Sequence, residues 1–156
     1  MIVSNSTTLI ILLDQRRMDL LENLFKKVYL PVGVWEEVTG KGEVELPPFF
    51  EMCPVEPLEE LKLLLERGEG EAITLAIKKG LPLIIDEKKG RRIARNYGVK
   101  IIGLVGILIL NIERGFLGKE EGIEFLAKIR KEGFRVSDKL VKEFKNFVEG
   151  SGRDED

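Results

Sequence analysis

The chain of 156 residues contains no histidine. That excludes Ser-His-Asp and Cys-His catalysis and every metal centre built on imidazole. Hydrolysis would therefore rest on carboxylates, lysine, tyrosine or a water activated by a metal ion. Cysteine occurs once, at Cys53, so no internal disulfide can form and a reducing cytoplasm fits the chain. Long hydrophobic runs are missing too. Leu9 to Leu13 and Ile101 to Leu110 are apolar but too short to span a bilayer, and no basic segment precedes the first as a secretory signal requires. No excess of positive charge exists either: the formal net charge is -2, so a polyanionic partner would have to meet a local basic patch. Gln15 is the only glutamine among abundant Lys and Glu, a usage that resembles hyperthermophile proteins.

What is present reads as one α/β domain. The length favours a single core over 1–148, followed by a polar tail over 149–156 that is too poor in apolar residues to order. Ile2-Val3-Ser4 predicts a strand, and Asn5-Ser6-Thr7-Thr8 opens a helix running to Asp14. A helix over Asp19 to Lys26 and a strand over Lys27 to Leu30 follow. Pro31 then starts the helix that carries Val34, Trp35 and Val38. The stretch 40–57, rich in Gly and Pro, reads as a loop or extended crossover. Helices are expected near Leu58 to Glu66 and from Gly68 to Lys79, the second closed by Gly80. Leu83-Ile84-Ile85 is a near-continuous apolar run, the mark of a strand buried on both faces. A basic helix over Lys88 to Tyr97 and a strand over Val99 to Ile102 come next. Helices over Val105 to Arg114, Lys119 to Lys131 and Ser137 to Glu149 complete the chain. Strands alternating with helices imply a mostly parallel sheet, where ligands gather beyond the carboxyl ends of the strands.

Acidic residues sit at those ends and at helix starts: Glu36 and Glu37, Glu69 and Glu71, and Asp86 with Glu87 beside it. Each alone has a plain explanation. A glutamate on an amphipathic helix faces solvent, an acid near a helix start complements the dipole, and an Asp before a helix caps it. Converging on one mouth, they would instead suit hard divalent cations such as Mg²⁺ or Mn²⁺, which prefer oxygen ligands and assist phosphodiester hydrolysis. Lys88, Lys89, Arg91, Arg92 and Arg95 follow Asp86 directly. Lys88, Arg92 and Arg95 share one helical face that would either pair with nearby acids or hold phosphates.

Five stretches, in order, resemble the PIN-domain family over about residues 2–110. They are Ile2 to Ile10, Leu30 to Val38, Gly68 to Ala76, Leu83 to Ala94, and Ile102 to Leu108. The resemblance implies a three-layer PIN-like fold and a Mg²⁺- or Mn²⁺-dependent ribonuclease. It places the family's four acidic ligands on Asn5, Glu37, Glu69 (with Glu71 as close competitor) and Asp86. Ser6 or Thr7 would orient a ligand or water. RNA is then the substrate, with Lys88, Arg91, Arg92 and Arg95 beside it. A toxin paired with a small antitoxin protein, and a homodimer, are further implications of the family. Asn5 departs from the family's strand-end Asp: its amide oxygen can coordinate a hard cation but adds no charge. That departure keeps a second reading open, a non-catalytic RNA-binding or protein-interaction module on the same fold.

Overall fold

The computed structural model describes residues 1–153, with side chains through residue 150. The chain forms two compact units, Met1–Leu104 and a second that begins at Val105. No helix among the described residues is long and apolar enough to cross a membrane.

The first unit is built on five short strands: β1 (Ile2–Ser4), β2 (Val28–Leu30), β3 (Phe50–Met52), β4 (Leu83–Ile84) and β5 (Ile101–Ile102). They form one sheet in the order β3-β2-β1-β4-β5, and every pairing is parallel. Val3 sits at the centre of the register, opposite Tyr29 on one side and Leu83 on the other. Ile2, Val3, Val28, Leu30, Leu83, Ile84 and Ile85 are at most 1% exposed, and for Leu83-Ile84-Ile85 this is the burial expected from its continuous apolar run. The strand order runs outward from β1 to β3 and then returns to β4. This reversal makes the gap beyond the carboxyl ends of β1 and β4 the place where a parallel sheet opens a crevice.

The helices between these strands are α1 (Ser6–Asp14), α2 (Asp19–Glu22), α3 (Val32–Thr39), α4 (Glu59–Leu64), α5 (Arg67–Lys79) and α6 (Lys88–Asn96). Helix α5 ends at Gly80, whose φ of 63° is the left-handed cap geometry that favours glycine. The largest departures from the sequence reading in this unit concern β3 and α2. Strand β3 lies inside the stretch read as a loop; only Phe50 of its three residues is buried, so no alternation announces it, and Pro47 and Pro48 precede it. Helix α2 stops at Glu22, before the chain bends into β2.

The second unit contains α7 (Leu104–Glu113), all but its first residue, then α8 (Lys119–Lys131) and α9 (Asp138–Arg153). Its buried side chains include Leu117, Phe125, Leu126, Ile129, Phe144 and Val148. The three helices meet around Gly122, where an added methyl group would lie 2.9 Å from Ile112 and 3.4 Å from both Leu117 and Phe144. Helix α9 runs on to Arg153, past the Glu149 end expected for it. The remainder of the expected tail, 154–156, lies outside the described residues.

Candidate active site

The end of β1 fixes the geometry of the crevice. The Asn5 N–H donates to Ile84 O at 2.9 Å, so the chain leaves β1 locked to the end of β4. Asn5 occupies the N-cap position of α1 yet makes no side-chain capping bond. An asparagine there ordinarily satisfies an orphan N–H of the first turn. Here its Nδ2 instead donates to Glu87 Oε2 at 3.1 Å. The next three residues repeat the gesture. Ser6 Oγ donates to Glu37 Oε2 at 3.0 Å, Thr7 Oγ1 to Glu87 Oε1, and Thr8 Oγ1 to Asp86 Oδ2. Four consecutive side chains thus hand donors to three carboxylates, which explains why Asn5, Ser6 and Thr8 are buried although polar.

Glu37 and Glu69 arrive from α3 and α5, whose first turns touch backbone to backbone. A methyl group at Gly33 would stand 3.1 Å from the Gly68 Cα. Glu69 is half-buried, and its carboxyl is pushed up to about 7. Burial is the main cause, followed by repulsion from Glu87 and Glu66; Lys89 partly opposes this and Glu37 adds to it. Asn5, Ser6, Thr7, Glu37, Glu66, Glu69, Glu87 and Lys89 line one open cleft of about 430 Å³ with Leu64 and Leu65.

Two residues expected at this mouth are used elsewhere. Glu71 is 5% exposed and does not line the cleft. Its Oε1 accepts the Gly33 N–H of α3 at 2.8 Å, and its Oε2 accepts Arg67 Nε at 2.8 Å within α5, so both oxygens are taken and one of them ties α5 to α3. Asp86 does not line the cleft either. Besides Thr8, it accepts the Leu104 N–H at 3.0 Å, at the first residue of α7. Burial raises its pKa, with the Thr8 and Leu104 bonds opposing. Glu87, its neighbour, takes the place in the cleft.

The basic residues also divide. Lys88, Arg92 and Arg95 are exposed on α6, and Lys89 lines the cleft. Arg91 is half-buried and donates from Nη1 to Ile85 O at 2.9 Å, so it braces the turn after β4 instead of facing solvent. Lys89 belongs to the basic run noted after Asp86, whereas Glu66 lines the cleft without any signal in the sequence. The family resemblance puts the fourth ligand on Asp86, but adjacent residues leaving a strand point to opposite sides, and here Glu87 is the one that lines the cleft.

Among the described residues no three acidic groups are grouped closely enough to hold a metal ion in this arrangement. The donor chemistry nonetheless suits a hard divalent cation. The cleft offers carboxylates and an amide, no sulfur and no imidazole, and Glu69 carries repulsion that a cation would relieve.

Two comparisons with known proteins bear on this geometry. A family model described as a PIN domain (DUF3368) matches residues 1–149. A search among curated proteins returned no match.

Proposed function

The chain belongs to the PIN-domain family, and from that premise we propose that it is a divalent-metal-dependent ribonuclease working in the cleft between β1 and β4. The observation that carries the reading is the convergence of Asn5, Glu37, Glu69 and Glu87 on one opening where the strand order reverses. These four would hold Mg²⁺ or Mn²⁺, and a bound ion would supply a more acidic water and charge neutralisation at the phosphate. Ser6 and Thr7 hold Glu37 and Glu87 in readiness through their hydroxyls. Lys89 places a positive charge at the same opening, next to the scissile phosphate. Lys88, Arg92 and Arg95 extend that charge along α6 and would carry the RNA backbone. Asp86 and Arg91 shape the turn that presents Glu87, and Glu71 locks α3 to α5 in place of binding an ion. The setting that follows is a cytoplasmic toxin, in homodimeric form, with a small antitoxin protein as partner.

A second reading has its own observation. Asn5 is neutral and spends its amide N–H₂ on Glu87, which leaves fewer negative charges for a cation than a strand-end Asp would. A module that binds RNA or protein without cutting would tolerate this.

Incubating a mixed RNA pool with Mn²⁺, Mg²⁺ or chelator separates the two. The ribonuclease reading expects metal-dependent cleavage by the unaltered protein, loss of it in Glu69→Gln, and faster cleavage in Asn5→Asp. RNA binding without cleavage in either the unaltered protein or Asn5→Asp would favour the module.

A further inference from the structure

Two glycines lie directly beneath the two carboxylates that α3 and α5 bring to the cleft. Gly68 is buried in the first turn of α5, and a methyl group there would stand 2.7 Å from Glu37 Oε1. Its other nearest neighbours, Val34 Cγ2 at 3.5 Å and the Gly33 carbonyl carbon at 3.6 Å, are at ordinary contact. Gly90 is buried in the first turn of α6, and a methyl group there would stand 2.6 Å from Glu69 Oε2 and 2.7 Å from Ile85 Cδ1. Neither glycine is needed for its backbone conformation, since both lie in regular helix and neither has a positive φ. Glycine is also the poorest helix former after proline. At both positions the local preference for a side chain is broken where a carboxylate oxygen takes up the space.

We infer that Gly68 and Gly90 are positioning residues: the space left by their missing side chains seats Glu37 and Glu69 and sets how far each carboxylate reaches into the cleft. Glu37 is then held from two sides, by the Ser6 hydroxyl at 3.0 Å and by the Gly68 surface. What a methyl group would displace at Gly68 is the far end of a flexible side chain, not backbone. The helix therefore accepts alanine while the carboxylate moves. Gly68 is the cleaner test of the two, because a methyl at Gly90 also presses on the core residue Ile85. The functional weight of the inference rests on the cleft being the active site.

The test compares Gly68→Ala with Gly70→Ala in the full chain. Gly70 lies in the same helix, but the atoms nearest to a methyl group there belong to Leu61, at 3.5 Å and beyond, and none is a carboxylate. Metal-free protein carrying ¹³C at the glutamate carboxyls is measured by NMR, alongside thermal melting and Mn²⁺ titration. Gly68→Ala is expected to move the Glu37 carboxyl resonance, to melt no lower than the unaltered protein, and to bind Mn²⁺ about 10-fold or more weakly. Gly70→Ala is expected to leave the Glu37 resonance and Mn²⁺ affinity as they were. Adding Glu37→Asp to Gly68→Ala shortens the side chain above the new methyl and should recover part of the lost affinity. An unmoved Glu37 resonance in Gly68→Ala, or a Gly68→Ala protein that no longer folds, overturns the inference. If the unaltered protein binds no Mn²⁺, the ribonuclease reading fails, and the Glu37 resonance still decides the role of the glycine.

Discussion

Glu69 and Glu71 stand two residues apart on one helix and do opposite work. Glu71 is the more deeply buried, yet both its oxygens are matched: one by a backbone N–H, the other by a guanidinium. Glu69 is less buried but faces Glu87, Glu66 and Glu37, with only Lys89 opposing, and its carboxyl rises to about 7. The difference teaches that burial alone does not mark a functional acid. A buried carboxylate whose partners are complete is a brace between elements. A carboxylate left among like charges at an opening costs the fold something, and a ligand can remove that cost.

Removing the brace should have the larger effect on stability. Glu71→Ala leaves the Gly33 N–H without its acceptor and Arg67 without its nearer carboxylate, at a cost of about 2–3 kcal/mol, or a melting temperature roughly 5–10 °C lower. Arg67→Ala removes a mostly exposed partner (side chain 60% exposed) that also reaches Glu36, so its cost should be about 1 kcal/mol. Paired denaturation curves check the order; a costlier Arg67→Ala would mean that the guanidinium, and not the bond to Gly33, holds the contact.

The opening should show itself through pH instead. A free glutamate in the unfolded chain titrates at 4.5, whereas Glu69 in the folded chain titrates at about 7. Between these values the folded state keeps a proton that the unfolded state has released. Metal-free stability should therefore fall as pH rises through that window and level off above it. Glu69→Gln should flatten this slope, as read from melting temperatures at a series of pH values. An equal slope in the variant would place the unfavourable charge elsewhere.

The sequence made the parallel sheet legible because its strands are short apolar runs alternating with amphipathic helices. Strand β3 escaped because Glu51 and Met52 are exposed and prolines surround it, so neither alternation nor a run was there to read. The grouping of acids at strand ends and helix starts pointed to the segments that line the cleft. The choice within each pair was not legible. Glu69 and Glu71 differ only in which one meets Gly33 across the helix contact, and Asp86 and Glu87 differ only in which one turns toward Thr8 and Leu104. Both choices depend on approaches between segments more than thirty residues apart, or at a strand exit, and no local pattern encodes them. Arg91 misled for a similar reason: it belongs to a basic run, yet a carbonyl of the preceding turn claims it.

Binding of Mn²⁺ to the metal-free protein, by calorimetry and by melting temperature, tests the central claim most directly. The account predicts saturable binding that raises the melting temperature by roughly 5–10 °C at about 100 times Kd. Binding should be lost in Glu69→Gln, tightened in Asn5→Asp and retained in a folded Glu71 variant. No binding by the unaltered protein, or binding indifferent to Glu69, would contradict it.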